Sequence, residues 1–324
     1  MNTQAWESAG RASRWLLALL QTDGSLKGAT DLRAYYKTPC ALLANGHIRE
    51  ADLVLDYITR NLFDPKTGDL DGSGVPWYSI YRTYPHSWIC CAAMMRGRFE
   101  LAHPLSRFIA TLHNPASGGF FADEARTGEE VMTTSMAGLA SLWAGNTNLA
   151  LAAGAWLRNL WNAQPDLEKR GLYTSCRNGV LITEYPEADA GGALVDVSKP
   201  RQYYFQYGIS AALLTSLAGA TGDASWLELA RNFLHASRHC GPDRYQTPQS
   251  GKIGWGASWA YRLSKDPADL ELSATVARGL CALQNDDGSW LATGVYGGSS
   301  ADADSVTIDV TGEFAILQSH MGLA

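Results

Sequence analysis

The side chains able to do chemistry in this chain are sparse and set among aromatic residues. Asp302, Asp304, Thr307 and Asp309 stand in one short stretch, and His86 lies between Tyr84 and Trp88. Asp196 precedes Arg201, with Tyr203, Tyr204 and Tyr207 close behind, and Trp255 and Trp259 are four apart, on one helical face. Tyr36 and Tyr81 complete the set. A carboxylic acid or an imidazole in an aromatic wall transfers protons near neutral pH when its surroundings tune it. Aromatic faces stabilise developing positive charge. The expected chemistry is therefore acid–base catalysis, with Asp304 or Asp309 as the acid, His86 as the base and Asp196 as a further carboxylate. Arg201 would hold an anion, and Tyr36, Tyr81, Tyr203, Tyr207, Trp88, Trp255 and Trp259 would contact the substrate.

Each of these residues also has a plainer reading. Asp302 and Asp304 suit a helix N-cap. Arg201 suits a partner carboxylate in a loop, and His86 suits a satisfied interior histidine. His235 and His239 have helical metal spacing but no glutamate beside them. The Asp-rich stretch 64–71 lacks the spacing and terminal glutamate of a calcium loop. No cofactor and no metal are expected.

The elements that must position these residues form a repeat. Six turns carry glycine, most with an aromatic close by: Gln21-Thr-Asp-Gly-Ser-Leu26, Gly68-Asp-Leu-Asp-Gly-Ser-Gly74, Asn114-Pro-Ala-Ser-Gly-Gly-Phe120, Arg170-Gly-Leu-Tyr173, Gly251-Lys-Ile-Gly-Trp255 and Gln284-Asn-Asp-Asp-Gly-Ser-Trp290. Apart from one long gap they recur at roughly 50 residues, a period that argues for an array of helical hairpins. Helical segments are expected near 5–20, 48–62, 99–112, 147–163, 224–238 and 267–284 before the turns. A second series is expected near 31–45, 78–96, 128–144, 201–220, 253–263 and 304–320 after them. The first series is amphipathic, as in Leu53, Val54, Tyr57, Ile58 and Leu62. The second is richer in small, uncharged residues, as in Ser135-Met-Ala-Gly-Leu-Ala140. The two series thus read as an outer and an inner ring of one all-α domain spanning 1–324. Returns from inner to outer helices are short, whereas linkers into the inner helices run to about 10–35 residues. One end of the ring is plain and the other carries long loops, the longest near 165–200, expected as a flap or short hairpin. Cavity residues should gather at the elaborated end.

Composition narrows the class. Of 324 residues 46% are hydrophobic and only 18% charged, with 32 Gly, 11 Trp and 14 Tyr, so disorder is excluded. Lys and Arg total 26 against 32 Asp and Glu, a net charge of −6 that argues against a nucleic-acid partner. The first residues lack a basic stretch, and the apolar run 15–20 is too short for a signal-peptide core or a membrane span. The six cysteines are scattered rather than arranged as a disulfide framework. A cytoplasmic protein with a small-molecule substrate is expected; oligomeric state is not readable.

Gln284-Asn-Asp-Asp-Gly-Ser-Trp290 resembles the QW repeat of squalene cyclases, and six such hairpins resemble the (α/α)6 toroid shared by terpenoid cyclases and protein prenyltransferase β-subunits. In that motif Gln caps backbone groups, Gly permits the turn and Trp packs on the next hairpin. The resemblance implies the toroid but not the family chemistry. The D-x-D-D acid motif is absent, its nearest string being Asp302-Ala-Asp-Ser305. His86, Cys90 and Cys91 do not reproduce the prenyltransferase zinc spacing, and His239-Cys240 reverses the Cys-His pair of lanthionine cyclases.

The leading expectation is a small cyclase, isomerase or lyase acting on a hydrophobic or aromatic natural-product-like substrate in the central cavity. The alternative is a carbohydrate-active enzyme on the same barrel (glycosidase, polysaccharide lyase or sugar epimerase), with Glu124, Glu129, Asp196 and Asp304 as available acids. A non-catalytic small-molecule binding protein is the third reading. An apolar pocket with one or two isolated acids favours the first; a polar trough with carboxylates favours the second.

Overall fold

A computed structural model describes residues 2–291 and 303–324, the side chains of 188, 303 and 304 excepted. Its helices alternate as the repeat predicts. The outer series is α1 (Thr3–Leu19), α3 (Ile48–Asn61), α5 (Phe99–Thr111), α7 (Thr147–Asn162), α10 (Ala224–Ala236) and α12 (Pro267–Ala282). The inner series is α2 (Thr38–Ala44), α4 (Thr83–Met95), α6 (Val131–Trp143), α9 (Phe205–Thr221), α11 (Gly251–Ser264) and α13 (Ala303–Gly322); α8 (Ala190–Ala193) is a single turn in the long loop. Each inner helix packs on its two inner neighbours, and α13 returns to α2, so the ring closes.

The sequence dictates the two environments. Outer α3 buries only the stripe Ala51, Val54, Leu55 and Ile58, with its charges outward. Inner α6 is buried from Val131 to Ser141, and α9 from Gln206 to Thr215, because neither carries a charge over those stretches. Short polar residues close the outer N-termini, as where Asp223 accepts from Ser225 N at 2.9 Å and Asp266 from Ala268 N at 2.9 Å.

Four of the glycine turns share one hydrogen-bond pattern. Gln21 N donates to Ser25 O and Gly24 N returns to Gln21 O; the pairs Asp64/Asp69 with Gly68/Asp64, Asn114/Gly119 with Gly118/Asn114, and Asn285/Ser289 with Gly288/Asn285 repeat it. The glycine of each turn has positive φ, from 78° to 96°. It also lies against a backbone carbonyl of an outer helix: Leu53 in α3, Pro104 in α5, Ala152 in α7 and, at the last turn, Arg11 in α1. A Cβ at Gly118 would stand 2.7 Å from Ala152 O. Glycine is thus required twice over, by backbone conformation and by contact. The last turn docks on the first helix, which is how the ring is sealed. There Gln284 Nε2 donates to Ser8 O at 3.0 Å, Ser8 Oγ donates to Gln284 Oε1 at 2.8 Å, and Trp290 Nε1 donates to Leu280 O at 2.9 Å.

Two differences from the sequence expectation have local causes. The first inner helix starts at Thr38 rather than near 31, since Pro39 fits only a first turn; residues 32–34 form a separate 3-10 turn capped by Asp31. The second starts at Thr83, with Pro85 in its first turn, rather than near 78. The long loop between α7 and α9 holds strands. β2 (Gly171–Tyr173) pairs antiparallel with β5 (Leu194–Asp196). The hairpin β3 (Ser175–Arg177) and β4 (Val180–Leu181) pairs with β1 (Glu129–Glu130), the strand leading into α6.

Candidate active site

At the elaborated end the inner helices and their linkers enclose a cavity of about 270 Å³. Its aromatic wall is Tyr36, Trp77, Tyr81, Tyr84, Tyr203, Phe205 and Phe314. Ile80 and Tyr203 are exposed and form the rim, whereas the deepest residues are four charges: Lys37, Lys252, Asp309 and Glu313, each at most 8% exposed. Beside the cavity lies a wider polar trough of about 660 Å³, bordered by Asp123, Glu129, Glu130, Arg177, Glu184 and Asp189. Ile80, Tyr81 and Tyr203 line both spaces, so the two adjoin.

The four charges come from three neighbouring inner elements. Lys37 immediately precedes α2, Lys252 sits in the first turn of α11, and Asp309 and Glu313 lie one turn apart on α13 between them. Glu313 bridges the lysines, Oε2 accepting from Lys37 Nζ and Oε1 from Lys252 Nζ. Asp309 Oδ1 is 2.9 Å from Lys37 Nζ, yet it accepts no aligned hydrogen bond. The Tyr36 hydroxyl also hydrogen-bonds the Asp309 carboxyl. Lys37 Nζ stands 4.8 Å from the centre of the Tyr36 ring, and Lys252 Nζ stands 5.2 Å from that of Phe205.

Protonation follows from these contacts. For Asp309, burial is the largest influence, and it raises the pKa despite Lys37. For Glu313, burial pushes the same way, but Lys252 and Lys37 together overcome it and hold the carboxyl down at about 2. Burial disfavours charge on Lys37, and Asp309 and Glu313 reverse this, keeping it protonated. One carboxylate is locked as an anion while its neighbour one turn away is tuned toward proton exchange. That divergence is what acid–base chemistry requires.

The other sequence candidates divide. Tyr36, Tyr81, Tyr203 and Asp309 meet in the cavity. His86 does not line it: the residue is fully buried in α4, its Nδ1 2.8 Å from Arg82 O, its Nε2 3.1 Å from Asp69 Oδ1, and its ring stacked on Phe108 at 4.2 Å. With both nitrogens engaged, the imidazole anchors the second glycine turn to α4. Asp196 likewise stands outside the cavity, accepting from Ser198 N and Ser198 Oγ at 2.9 and 2.7 Å in a loop. Arg201 is exposed at positive φ, its backbone N–H donating to Asp243 at 2.7 Å, and does not reach the cavity. Tyr207 is wholly buried, its hydroxyl against Cys240.

Trp88, Trp255 and Trp259 also lie outside the cavity lining. They continue inward from Tyr84 as a chain of ring contacts: Tyr84 to Trp88 edge-on at 6.4 Å, Trp88 to Trp255 stacked at 5.9 Å, and Trp255 to Trp259 edge-on at 4.9 Å. These rings pack the interior of the helix ring. Asp304 opens α13, but its side chain, like Asp302, lies outside the described residues.

Lys37, Lys252 and Glu313 are the residues that sequence reasoning passed over. Their signal was isolation. Lys252 is the only charge in α11 before Arg262, and Glu313 the only one in α13 after Asp309, each set in otherwise apolar helix. A lone charge on an all-buried helix must be paired or functional.

No family model matches the chain, and no curated protein does. Solved structures match over its whole length. An inactive variant of an α-1,6-mannanase from Salegentibacter sp., altered at two consecutive aspartates and bound to α-1,6-mannotetrose, has a TM-score of 0.67 at 12% identity, covering 98% of this chain and 99% of that one. A D-mannose isomerase has a TM-score of 0.65 at 11% identity, covering 97% of each chain. The type II terpene cyclase MstE from Scytonema has a TM-score of 0.57 at 15% identity, covering 98% and 97%. At these identities the likeness is one of fold, and the (α/α)6 toroid is that fold.

Proposed function

We propose that the cavity carries out acid–base chemistry on a carbohydrate. The observation that carries this reading is the pair of buried ammonium–carboxylate contacts at the bottom of an aromatic cavity that adjoins a polar trough. A sugar presents hydroxyl groups to charged partners and C–H faces to aromatic rings, and this cleft offers both. The trough extends the site beyond one small molecule, which suits a substrate of more than one unit. The mannanase and the isomerase are consistent with a sugar ligand in such a ring, although each shares only the fold.

The aromatic wall by itself would also suit a polyene, and a tuned aspartic acid would suit protonation of an alkene, as in a cyclase. Lys37 and Lys252 weigh against that reading. With their carboxylate partners they make a cluster of hydrogen-bond donors and acceptors that a hydroxylated ligand can use and a polyene cannot. A hydroxylated or anionic transition state would instead be held.

The test is ligand-observed NMR on the full chain with Asp309→Asn, which slows turnover. The probes are mannose, α-1,6-linked manno-oligosaccharides, a panel of other neutral sugars, and a soluble polyprenyl compound. Saturation transfer to sugars, lost on Tyr84→Ala, is the expected result. Binding of the polyprenyl compound alone would reject the carbohydrate reading in favour of the cyclase one.

A further inference from the structure

The carboxylates along the cleft are not equivalent. Glu313 is engaged at both oxygens by Lys37 and Lys252. Glu130 caps α6, accepting from Met132 N at 2.8 Å and from Thr133 N. Glu129 holds Asn114 Nδ2 at 2.5 Å and Ser117 Oγ at 2.8 Å on one oxygen, which binds it to the third glycine turn; its other oxygen is buried without a hydrogen bond among the described residues, but the residue lines the trough and not the cavity. Asp309 lines the cavity itself, and among the described residues its Oδ1 is held by the Lys37 ammonium at 2.9 Å, out of line for a hydrogen bond. Lys252 has the complementary surplus. One of its three N–H groups goes to Glu313, and among the described residues the ammonium otherwise meets the faces of Phe205 and Tyr84, at 5.2 and 5.9 Å. The cavity thus presents one carboxylate loosely held by its own cation and one cation with donors in reserve.

Glycoside cleavage needs something else. It uses two carboxyl groups flanking the bond, roughly 5–9.5 Å apart, both free to exchange a proton or attack. A single carboxylate facing an ammonium is instead the equipment for taking a proton from carbon and holding the resulting negative charge on oxygen.

Resting on the carbohydrate reading above, we propose that this cavity isomerises a reducing sugar, with Asp309 abstracting the proton next to the carbonyl and Lys252 holding the oxyanion. Asp309 takes the proton from the carbon beside the carbonyl. The C–H electron pair becomes the C=C bond of an enediolate, and the C=O π pair moves onto oxygen, to which the Lys252 ammonium donates a hydrogen bond. Asp309 returns the proton to the adjacent carbon on the same face while the hydroxyl proton moves between the two enediol oxygens, giving the isomer. No oxidant, reductant or co-reactant is consumed. Lys37 and Tyr36 are positioning residues for Asp309, and Glu313 is one for both lysines.

The experiment compares two probes on the full chain by calorimetry: an aldonohydroxamate, a planar mimic of the enediolate, and the alditol of the same length. The hydroxamate should bind at least about 100-fold more tightly, as analogues of high-energy states do. Lys252→Met should abolish that preference and Lys252→Arg should restore part of it. In D2O the wild type should wash deuterium into a reducing sugar at the carbon next to the carbonyl, and Asp309→Asn should slow this at least about 100-fold. Equal binding of hydroxamate and alditol overturns the proposal and leaves the carbohydrate reading intact. Failure of both to bind overturns the two together. If Lys252→Met does not fold, the comparison of the two probes on the wild type decides alone.

Discussion

Replacing Glu313 by Gln tests the electrostatics of the site most directly. The substitution keeps the shape of the side chain and removes its charge. In the wild type two buried ammonium groups are balanced by two buried carboxylates. In the variant Lys37 keeps Asp309, and one ammonium is left without a counter-charge in a site that is at most 8% exposed. Removing one partner of a buried pair typically costs about 3–5 kcal/mol. For a chain of 324 residues, at about 2.1 cal/mol/K per residue, this corresponds to a fall in Tm of about 4–7 °C. The loss should depend on pH with a definite sign. The uncompensated ammonium is relieved by losing its proton, so the deficit is largest at neutral pH and shrinks as pH rises toward the ordinary lysine value of about 10.4. Acid behaves oppositely in the wild type. The Glu313 carboxyl is held at about 2, below its ordinary value, so its contribution is complete above about pH 4.5 and is lost as pH falls through 2. The assay is denaturant and thermal unfolding by circular dichroism at pH 7 and pH 9.5, with Lys252→Met/Glu313→Gln as the companion. The double variant should be more stable than the sum of its parts predicts, because it removes a whole pair. A single variant within about 1 kcal/mol of wild type at pH 7, or a deficit that grows with pH, would refute this account.

Three further outcomes follow from the fold. Gly118→Ala should destabilise by at least about 2 kcal/mol, combining a left-handed backbone with a Cβ 2.7 Å from Ala152 O, whereas Gly46→Ala, also at positive φ but with nothing within 4 Å, should cost about 1 kcal/mol; equal losses in chemical denaturation would contradict the contact. His86→Asn should lower stability by about 2–3 kcal/mol while leaving affinity for a bound sugar unchanged, since the ring anchors a turn rather than lining the cavity; retained stability with lost binding would reverse that assignment. Burial opposes charge on Asp69, but hydrogen bonds from His86 and Arg82 prevail and hold its carboxyl below the usual range. Its stabilisation is therefore present above about pH 3.9 and is lost as pH falls below it, and Asp69→Asn should flatten the acid-unfolding profile in that window; an unchanged slope would argue that the turn is held by other contacts.

The ring was legible because its rules are local. Glycine three or four residues after a Gln, Asp or Asn, small residues on one helix and charged faces on the next, and short returns at one end each report their own structure. The same locality explains the errors. His86 sits among aromatics in the sequence and among aromatics in the fold, but the aromatics that meet it, Tyr78 and Phe108, are not the neighbours Tyr84 and Trp88 that made it look like a base. Trp88, Trp255 and Trp259 read as a wall and are a packed interior, because helical spacing fixes a face without fixing depth along the ring axis. Arg201 lay close in sequence to true lining residues Tyr203 and Phe205 but is carried outward by its left-handed backbone. Lys37, Lys252 and Glu313 were invisible as a set because 276 positions separate the first from the last.

That separation is itself informative about how the site and the ring depend on each other. Lys37 precedes the first inner helix, Lys252 begins the fifth, and Glu313 lies on the sixth, between them in space. Any closed ring has a seam where its last element must meet its first, and contacts there bring together the most distant parts of the chain, the costliest in loop entropy. Here the seam is marked twice: at the outer layer by Gln284 and Gly288 on α1, and at the inner layer by Glu313 between the two lysines. The buried charges therefore cannot be satisfied until the ring is shut. A ring that closes out of register buries an ammonium or a carboxylate without its partner and carries a desolvation penalty that the native pairing offsets. The arrangement that tunes Asp309 thus also penalises misregistered rings. A site at the seam exists only in the fully assembled protein, and substitutions that loosen the Gln284 contact on the outer layer should weaken ligand binding in the cavity without touching any residue that lines it.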